Sequence, residues 1–232
     1  MKSNPFISFV LPTRDRPDLI YKCLSFLKAQ ECEDFEVIIA DNSVVESCEE
    51  KVACFLKDTR FQYKKAPSSL SMPDNWDFAI ENAVGEYITV INEKFMFHPK
   101  AVGYIKSLSS KYELPDILSW QFEHFILSNS NPHLGDYHPL LKTVEPELYS
   151  AVEELERRFS FKEPLFSRHT QEKNGYGKIY SGAVKRGVVQ KVKQVYGRVF
   201  LPMSPDFTSM VCFLNLSEVC LDLGRCLMLV VA

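Results

Sequence analysis

The chain has 232 residues, 46% of them apolar and 25% charged. That composition can bury a sizeable core and excludes disorder along most of the length. The net charge of −3 leaves no global basic field for nucleic acid, and seven cysteines without CxxC spacing read as reduced thiols of a cytosolic protein, not as a zinc site or disulfide framework.

The first segment, "MKSNPFISFVLP", carries a short apolar run broken by proline, so it is not a signal peptide. This places the chain in the cytosol, including the inner face of a membrane. Phe6–Pro12 is rich in β-formers and reads as a strand. A helix follows, with Asp15 as N-cap, Pro17 in the first turn, and Leu19, Ile20, Cys23, Leu24 and Leu27 on one face. Phe35–Ser43 is a second buried strand ending in polar turn residues. "VESCEEKVACFLK" reads as a charged amphipathic helix and "FQYKKAP" as a weaker edge strand. "DNWDFAIENAVG" is a helix with Asp74 as N-cap, Trp76, Ile80, Ala83 and Val84 inside, and Gly85 as its stop. Tyr87–Ile91 is a third buried strand. It spills into the turn Asn92–Phe95 and then into the helix "HPKAVGYIKSLSSKY", before a further strand, "DILSWQFEHFIL".

Strands alternating with helices of this length imply βαβ units and a mostly parallel sheet. Ligands in such sheets bind beyond the carboxyl ends of the strands. The topology would therefore gather Pro12–Arg16, Asp41–Ser43 and Asn92–Phe95 at one edge. After about Ser128 the pattern changes. "SNSNPHLGDYHP" is loop-like, "EPELYSAVEELERRFSF" helical, and "SRHTQEKNGYGKIYSG" an exposed polar loop. "AVKRGVVQKVKQVYG" is a basic helix stopped by Gly197, followed by a proline-framed turn and an apolar segment. Its Lys/Arg run reads as a solvated face, or as a peripheral contact with an anionic membrane. The final "CLMLVVA" is a strand without a cap or turn, which suggests that the natural chain continues.

The opening "FVLPTRDRPDLIYKCLSFLKAQECEDFEVIIADNS" resembles that of family 2 glycosyltransferases, an inverting group with the GT-A fold. "SMPDNWDFAIENAVGEYITVI" resembles the middle signature of one branch of that family, and "MSPDFTSMV" its Pro-Asp motif. The resemblance covers Phe6–Met96 and returns at Pro202–Met210. It implies an α/β GT-A fold: a mostly parallel, Rossmann-like sheet flanked by helices. Residues 1–127 would be the nucleotide-sugar-binding core and 128–232 an acceptor-side elaboration of the same domain. The implied activity is inverting sugar transfer from a nucleotide-sugar donor to a glycan or lipid-linked acceptor hydroxyl, in surface polysaccharide biosynthesis. The implied site follows the motifs. Thr13 would lie against the base, with Pro12 shaping the turn. Asp41 would accept a base N–H, with Asn42 and Ser43 completing the turn, and Asn75 and Trp76 would wall the donor pocket. Glu93 falls at the ribose carboxylate, and Asp206 is the candidate general base.

Lys94 falls where the family places its metal-binding aspartate. A hard divalent cation wants several oxygen ligands, and Asn92–Phe95 offers only Glu93. Manganese or magnesium held by Glu93 stays open. Metal-independent transfer is favoured, with Lys94 supplying positive charge to the diphosphate and Arg14, Arg16 or the basic loop Arg168–Lys178 assisting. Each residue also has a plainer reading. Asp41–Ser43 can be an ordinary turn, Trp76 core, Glu93–Lys94 a solvated ion pair, and Asp206 an N-cap. The five histidines show no metal-ligand spacing. Two other functions remain: a non-catalytic GT-A-like protein that binds nucleotide or a partner, and a nucleotidyltransferase. The missing glycine-rich phosphate loop speaks against the second.

Overall fold

The computed structural model describes residues 4–128, 134–139, 144–160 and 176–231. Four strands, β1 (Ile7–Thr13), β2 (Phe35–Asp41), β3 (Phe61–Lys65) and β4 (Tyr87–Val90), pair in parallel in the spatial order β3-β2-β1-β4. β1 and β2 are apolar almost throughout because both faces are covered. On one face Phe9 and Leu11 pack with Leu24 and Leu27 of α1 (Pro17–Lys28) and Ile105 of α4 (Ala101–Lys111). On the other, Val10 and Ile38 meet Ala79 and Ile80 of α3 (Met72–Glu81). That second face also holds Val188 and Val192 of α6 (Arg186–Tyr196) and Phe213 of α7 (Pro205–Asn215). β3 lies at the sheet edge, as its weaker pattern implied.

The second half extends the same sheet with antiparallel pairs. β9 (Gly182–Lys185) inserts antiparallel between β4 and β6 (Ile117–Leu127). β10 (Val219–Val231) runs parallel to β6 and carries β5 (Phe95–Phe97) antiparallel on its other side. β7 (Gly135–His138) and β8 (Glu147–Ser150) pair with β6 and β10, and α5 (Ala151–Phe159) follows β8. These short strands replace stretches that the sequence presents as turn, loop or helix. Their identity comes from the partner strand, which local pattern does not contain.

Several helix boundaries differ from the sequence reading for physical reasons. Asp15 is not the cap of α1. Its backbone is left-handed, with φ of 52°, and its carboxylate accepts N–H bonds from Val44, Val45 and Glu46. Those bonds, and one from Cys48 N–H to Asp41, tie up backbone donors before a helix can start. The expected amphipathic helix is thus reduced to the single turn α2 (Glu49–Val52). α3 is capped by Ser71, whose hydroxyl accepts the Asp74 N–H, while Asp74 itself pairs with Arg198. Leu19 and Val84 are exposed rather than internal. Much of the basic run is engaged within the chain: Lys185 bonds the Leu114 carbonyl, Arg186 the Gly85 carbonyl, and Lys193 pairs with Glu81. The expected polar loop before residue 176 lies outside the described residues, as do Arg168, His133 and His169.

Below β1, Ser8 Oγ donates to the buried Glu36 carboxylate at 2.6 Å and accepts the Gly85 N–H at 2.9 Å. A Cβ at Gly85 would sit 2.6 Å from Ser8 Oγ and 2.7 Å from Ser8 N. The backbone atom cannot give way without moving β1. Gly85→Ala is therefore expected to destabilise the fold by about 1–3 kcal/mol, the usual cost of overpacking, as read from the midpoint of urea unfolding.

Candidate active site

Parallel register sets the site. Thr13 lies opposite Asp41, and the Ile91 N–H bonds the Val10 carbonyl, so the chain leaving β4 runs beside the end of β1. Thr13 Oγ1 then donates to Glu93 Oε1 at 2.5 Å, and Arg16 Nη1 stands 3.7 Å from Glu93 Oε2. Thr13 and Glu93 are both buried. Asn92 Oδ1 accepts the Lys94 N–H at 2.8 Å and closes the turn. Pro12, Thr13, Asn42, Asn92 and Glu93 thus meet at one edge, as the topology implied.

A cavity of about 500 Å³ opens there, within the range of small-ligand sites. The β1–α1 loop contributes Arg14 and Arg16, whose guanidiniums are about half exposed. α3 contributes Asn75 and Trp76. Asn75 is buried, and its Oδ1 has no hydrogen-bond partner. Both polar atoms of the Asn42 amide are engaged by Leu70. A smaller cavity of about 210 Å³ adjoins the first and shares Met72, Trp76, Ile91 and Asn92 with it. Phe95, Tyr180 and Asp206 complete its wall.

Asp206 lies in the first turn of α7 but is not its cap, a position held by Ser204. Its carboxylate makes no hydrogen bond or ion pair among the described residues. Lys178 lies near enough for the Asp206 charge to favour the ammonium, although burial is the larger effect and lowers the Lys178 pKa.

Three expectations about roles change. Asp41 is fully buried and lines neither cavity. Its Oδ2 takes Ser47 Oγ at 2.8 Å, Tyr63 Oη at 2.7 Å, Lys65 Nζ at 3.3 Å and the Cys48 N–H, while Oδ1 takes the Ser43 N–H. A carboxylate has about four lone-pair sites, and those of Oδ2 are all taken in this arrangement. Asp41 and Ser43 hold the turn that presents Asn42. Burial pushes the Asp41 pKa up, but bonds from Ser43, Tyr63 and Ser47 outweigh it and hold the group well below the usual carboxylate range. Lys94 lines neither cavity; the cations on the cavity wall are Arg14 and Arg16. The residues also do not fit a divalent metal. Glu93 is engaged by Thr13 and Arg16 and Asp15 by three backbone N–H groups. No group of three or more His, Cys, Asp or Glu able to hold a metal occurs among the described residues.

Sequence reasoning missed Ser47, Tyr63 and Lys65 around Asp41, and Met72 and Tyr180 in the smaller cavity. Lys65 and Tyr63 alternate with Lys64 on an edge strand, a weak signal that one face is occupied. Nothing local marks Tyr180.

A parallel half, continued by a mixed sheet that brings Asp206 to the same edge, is the GT-A glycosyltransferase fold. Residues 8–117 match the model of glycosyl transferase family 2. The first 349 residues of S. aureus TarS superpose with a TM-score of 0.72 at 13% identity, over 97% of this chain and 60% of that one. The longer TarS structure gives 0.71 at 13% identity, over 97% of this chain and 36% of its own. The TarS 1–349 complex with UDP-GlcNAc gives 0.70 at 11% identity, over 97% and 58%. At these identities the likeness is one of fold, and the chain spans about 60% or less of TarS. No curated protein matches it.

The Asp41 cluster has a pH signature. A carboxylate with a depressed folded pKa stabilises the protein above its unfolded value, near 3.8, and the effect is lost as pH falls toward the folded value. Asp41→Asn is expected to cost roughly 2–4 kcal/mol at pH 7, because a buried charged acceptor is replaced by an amide. The gap between variant and parent should shrink below about pH 4. Urea unfolding at pH 7 and pH 3 checks both.

Proposed function

We propose that this protein transfers a sugar from a nucleotide-sugar donor to a hydroxyl of a glycan or lipid-linked acceptor, with inversion, in surface polysaccharide synthesis at the cytosolic side of a membrane. The observation that carries the reading is the junction of two cavities within a family 2 fold, one walled by Arg14 and Arg16 and the other by Asp206. The nucleoside diphosphate occupies the larger, with Thr13, Asn42 and Asn75 toward base and ribose. The TarS fragment has been crystallised with UDP and with UDP-GlcNAc, which supports uridine donors as the first class to test. Among the described residues no helix is long and apolar enough to cross a membrane.

In the proposed step Asp206 takes the proton of the acceptor hydroxyl as its oxygen bonds to the anomeric carbon. The bond from that carbon to the diphosphate breaks, and its electron pair leaves with the phosphate oxygen. Arg14 and Arg16 answer the charge that develops there. The donor set at Glu93 supports transfer without a divalent cation, with the two arginines in the place first given to Lys94.

Asp206→Asn is expected to lower turnover by about 10²–10⁴-fold, the usual contribution of a general base, and to leave nucleotide affinity unchanged. Arg16→Ala should weaken nucleoside diphosphate binding, whereas Lys94→Ala should change turnover little. Transfer is expected to persist in EDTA. A strict manganese requirement would sink the arginine assignment. Nucleotide binding without turnover for any donor–acceptor pair would favour a binding protein over an enzyme.

A further inference from the structure

The helix α3 carries side chains with two different tasks. Asn75 and Trp76 line the larger cavity. Asp74 and Asp77, three residues apart and so on one helical face, hold the segment that leads into α7. Asp77 Oδ1 accepts the Val199 N–H at 3.1 Å and the Phe200 N–H at 3.3 Å. Arg198 spans both carboxylates. Its Nη2 donates to Asp74 Oδ1 at 2.7 Å and its Nε to Asp77 Oδ2 at 3.1 Å. The Phe200 ring is fully buried and meets Trp76 edge-on at 5.1 Å. Burial raises the Asp77 pKa, and the bonds from Val199, Phe200 and Arg198 oppose that shift. A half-buried charge is costly, and here it secures a stretch of main chain.

That stretch leads to Asp206. Only residues 201–203 separate the anchored Phe200 from Ser204. Ser204 is left-handed, with φ of 45°, a conformation that a non-glycine residue keeps only where its surroundings impose it. Its carbonyl accepts the Phe207 and Thr208 N–H groups, each at 2.9 Å, at the start of α7. Met210 and Phe213, both buried in the core, fix the helix beyond. The corner is thus clamped between α3 upstream and the core downstream, and it carries Asp206 into the wall of the smaller cavity. The same helix is tied to the nucleotide edge. Leu70, the residue before the Ser71 cap, exchanges two hydrogen bonds of 2.9 Å with the Asn42 amide. α3 therefore spans from the edge of the larger cavity to the main chain that presents Asp206.

We infer that Asp77 is a positioning residue: by holding the Val199 and Phe200 N–H groups against α3, its carboxylate sets the place of Asp206 relative to the larger cavity. The inference rests on the proposed function, in which Asp206 takes the acceptor proton. Asp77 lines neither cavity and acts through the main chain. Proton transfer is sensitive to such placement, since a shift of about 1 Å from a change far from the chemistry can cost on the order of 10²-fold. Diphosphate binding is less so, because the ends of β1 and β2 carry Thr13, Arg14, Arg16 and Asn42 independently of Asp77.

The test follows release of nucleoside diphosphate from UDP-glucose, UDP-N-acetylglucosamine, GDP-mannose and TDP-glucose, with water as the acceptor. Affinity for the free diphosphate of the active donor is read by calorimetry. Asp77→Ala should lower kcat by about 10²-fold and leave donor KM and diphosphate affinity unchanged. Asp77→Asn keeps a carbonyl oxygen for both N–H groups and should recover most of the loss. In an Asp206→Asn background Asp77→Ala should cost nothing further, because residues that act as a unit are not additive. A parallel fall of kcat and diphosphate affinity would make Asp77 a structural residue and overturn the inference. So would an unchanged kcat, or an equal further loss in the Asp206→Asn background. If Asp77→Ala does not fold, Arg198→Ala, which removes the cation bracing Asp77, decides by the same split of kcat from affinity. Turnover that needs Asp206 but ignores Asp77 would defeat this inference alone. No release by the parent protein from any donor, or full turnover by Asp206→Asn, would defeat the proposed function and this inference with it.

Discussion

Parallel pairing of β1 between β2 and β4 is the constraint on which the rest of the molecule depends. It fixes Thr13 opposite Asp41 and brings the chain after β4 alongside the end of β1. The pairing is held by burial on both faces of the sheet. Phe9, whose ring meets Phe35 and Phe97 edge-on, packs on one side and Val10 on the other. Each fully buried side chain of this size contributes about 1.5–3 kcal/mol. A one-residue slip would exchange the two faces and lose the packing of both. The register that assembles the site is therefore enforced by the core, well away from the cavity.

The polar edge is built on that register by two carboxylates working inward. Asp41 draws in a loop and the edge strand β3, and Asp15 draws in the three backbone donors of Val44–Glu46. Asp15 does so from a left-handed backbone, a conformation that costs a non-glycine residue of order 1–3 kcal/mol. The three hydrogen bonds offset that strain, and they also place Arg14 and Arg16 on either side of the strained residue at the cavity mouth. The acidic groups thus shape the rim, and the basic groups stay available to an anion.

This division explains how far the sequence could be read. The strands β1, β2 and β4 and the helices α1, α3, α4 and α6 were legible because each carries its own apolar pattern, with Gly197 as the stop of α6. The edge cluster of Thr13, Asn42 and Glu93 was legible because parallel topology leaves few alternatives once the strands are known. The role of Asp41 was not legible. Its partners Tyr63 and Lys65 lie more than 20 residues away on a strand whose pattern says only that it is an edge. β5 and β9 were likewise invisible: three- and four-residue strands take their identity from β10, β4 and β6, which they meet far from their own sequence. Tyr180 was missed for the same reason, since its place in the wall is set by main-chain bonds from Val90 and not by any local motif.

The turn Asn92–Phe95 places a single carboxylate, Glu93, at this edge. Glu93 is buried, and burying a charge is costly unless it is paired and hydrogen-bonded. Thr13 donates one short hydrogen bond to it, and the Arg16 guanidinium stands at 3.7 Å. A second acidic residue in the turn would add repulsion that these two partners could not answer, and the natural remedy would be a divalent ion. A lysine, not a second acid, stands at the next position. Arg16 then faces both ways, toward Glu93 on the protein side and toward the cavity on the other, with more than half of its side chain exposed. An incoming diphosphate would meet a guanidinium already oriented by the carboxylate behind it. In the proposed transfer this arrangement would meet an anionic leaving group with preorganised charge.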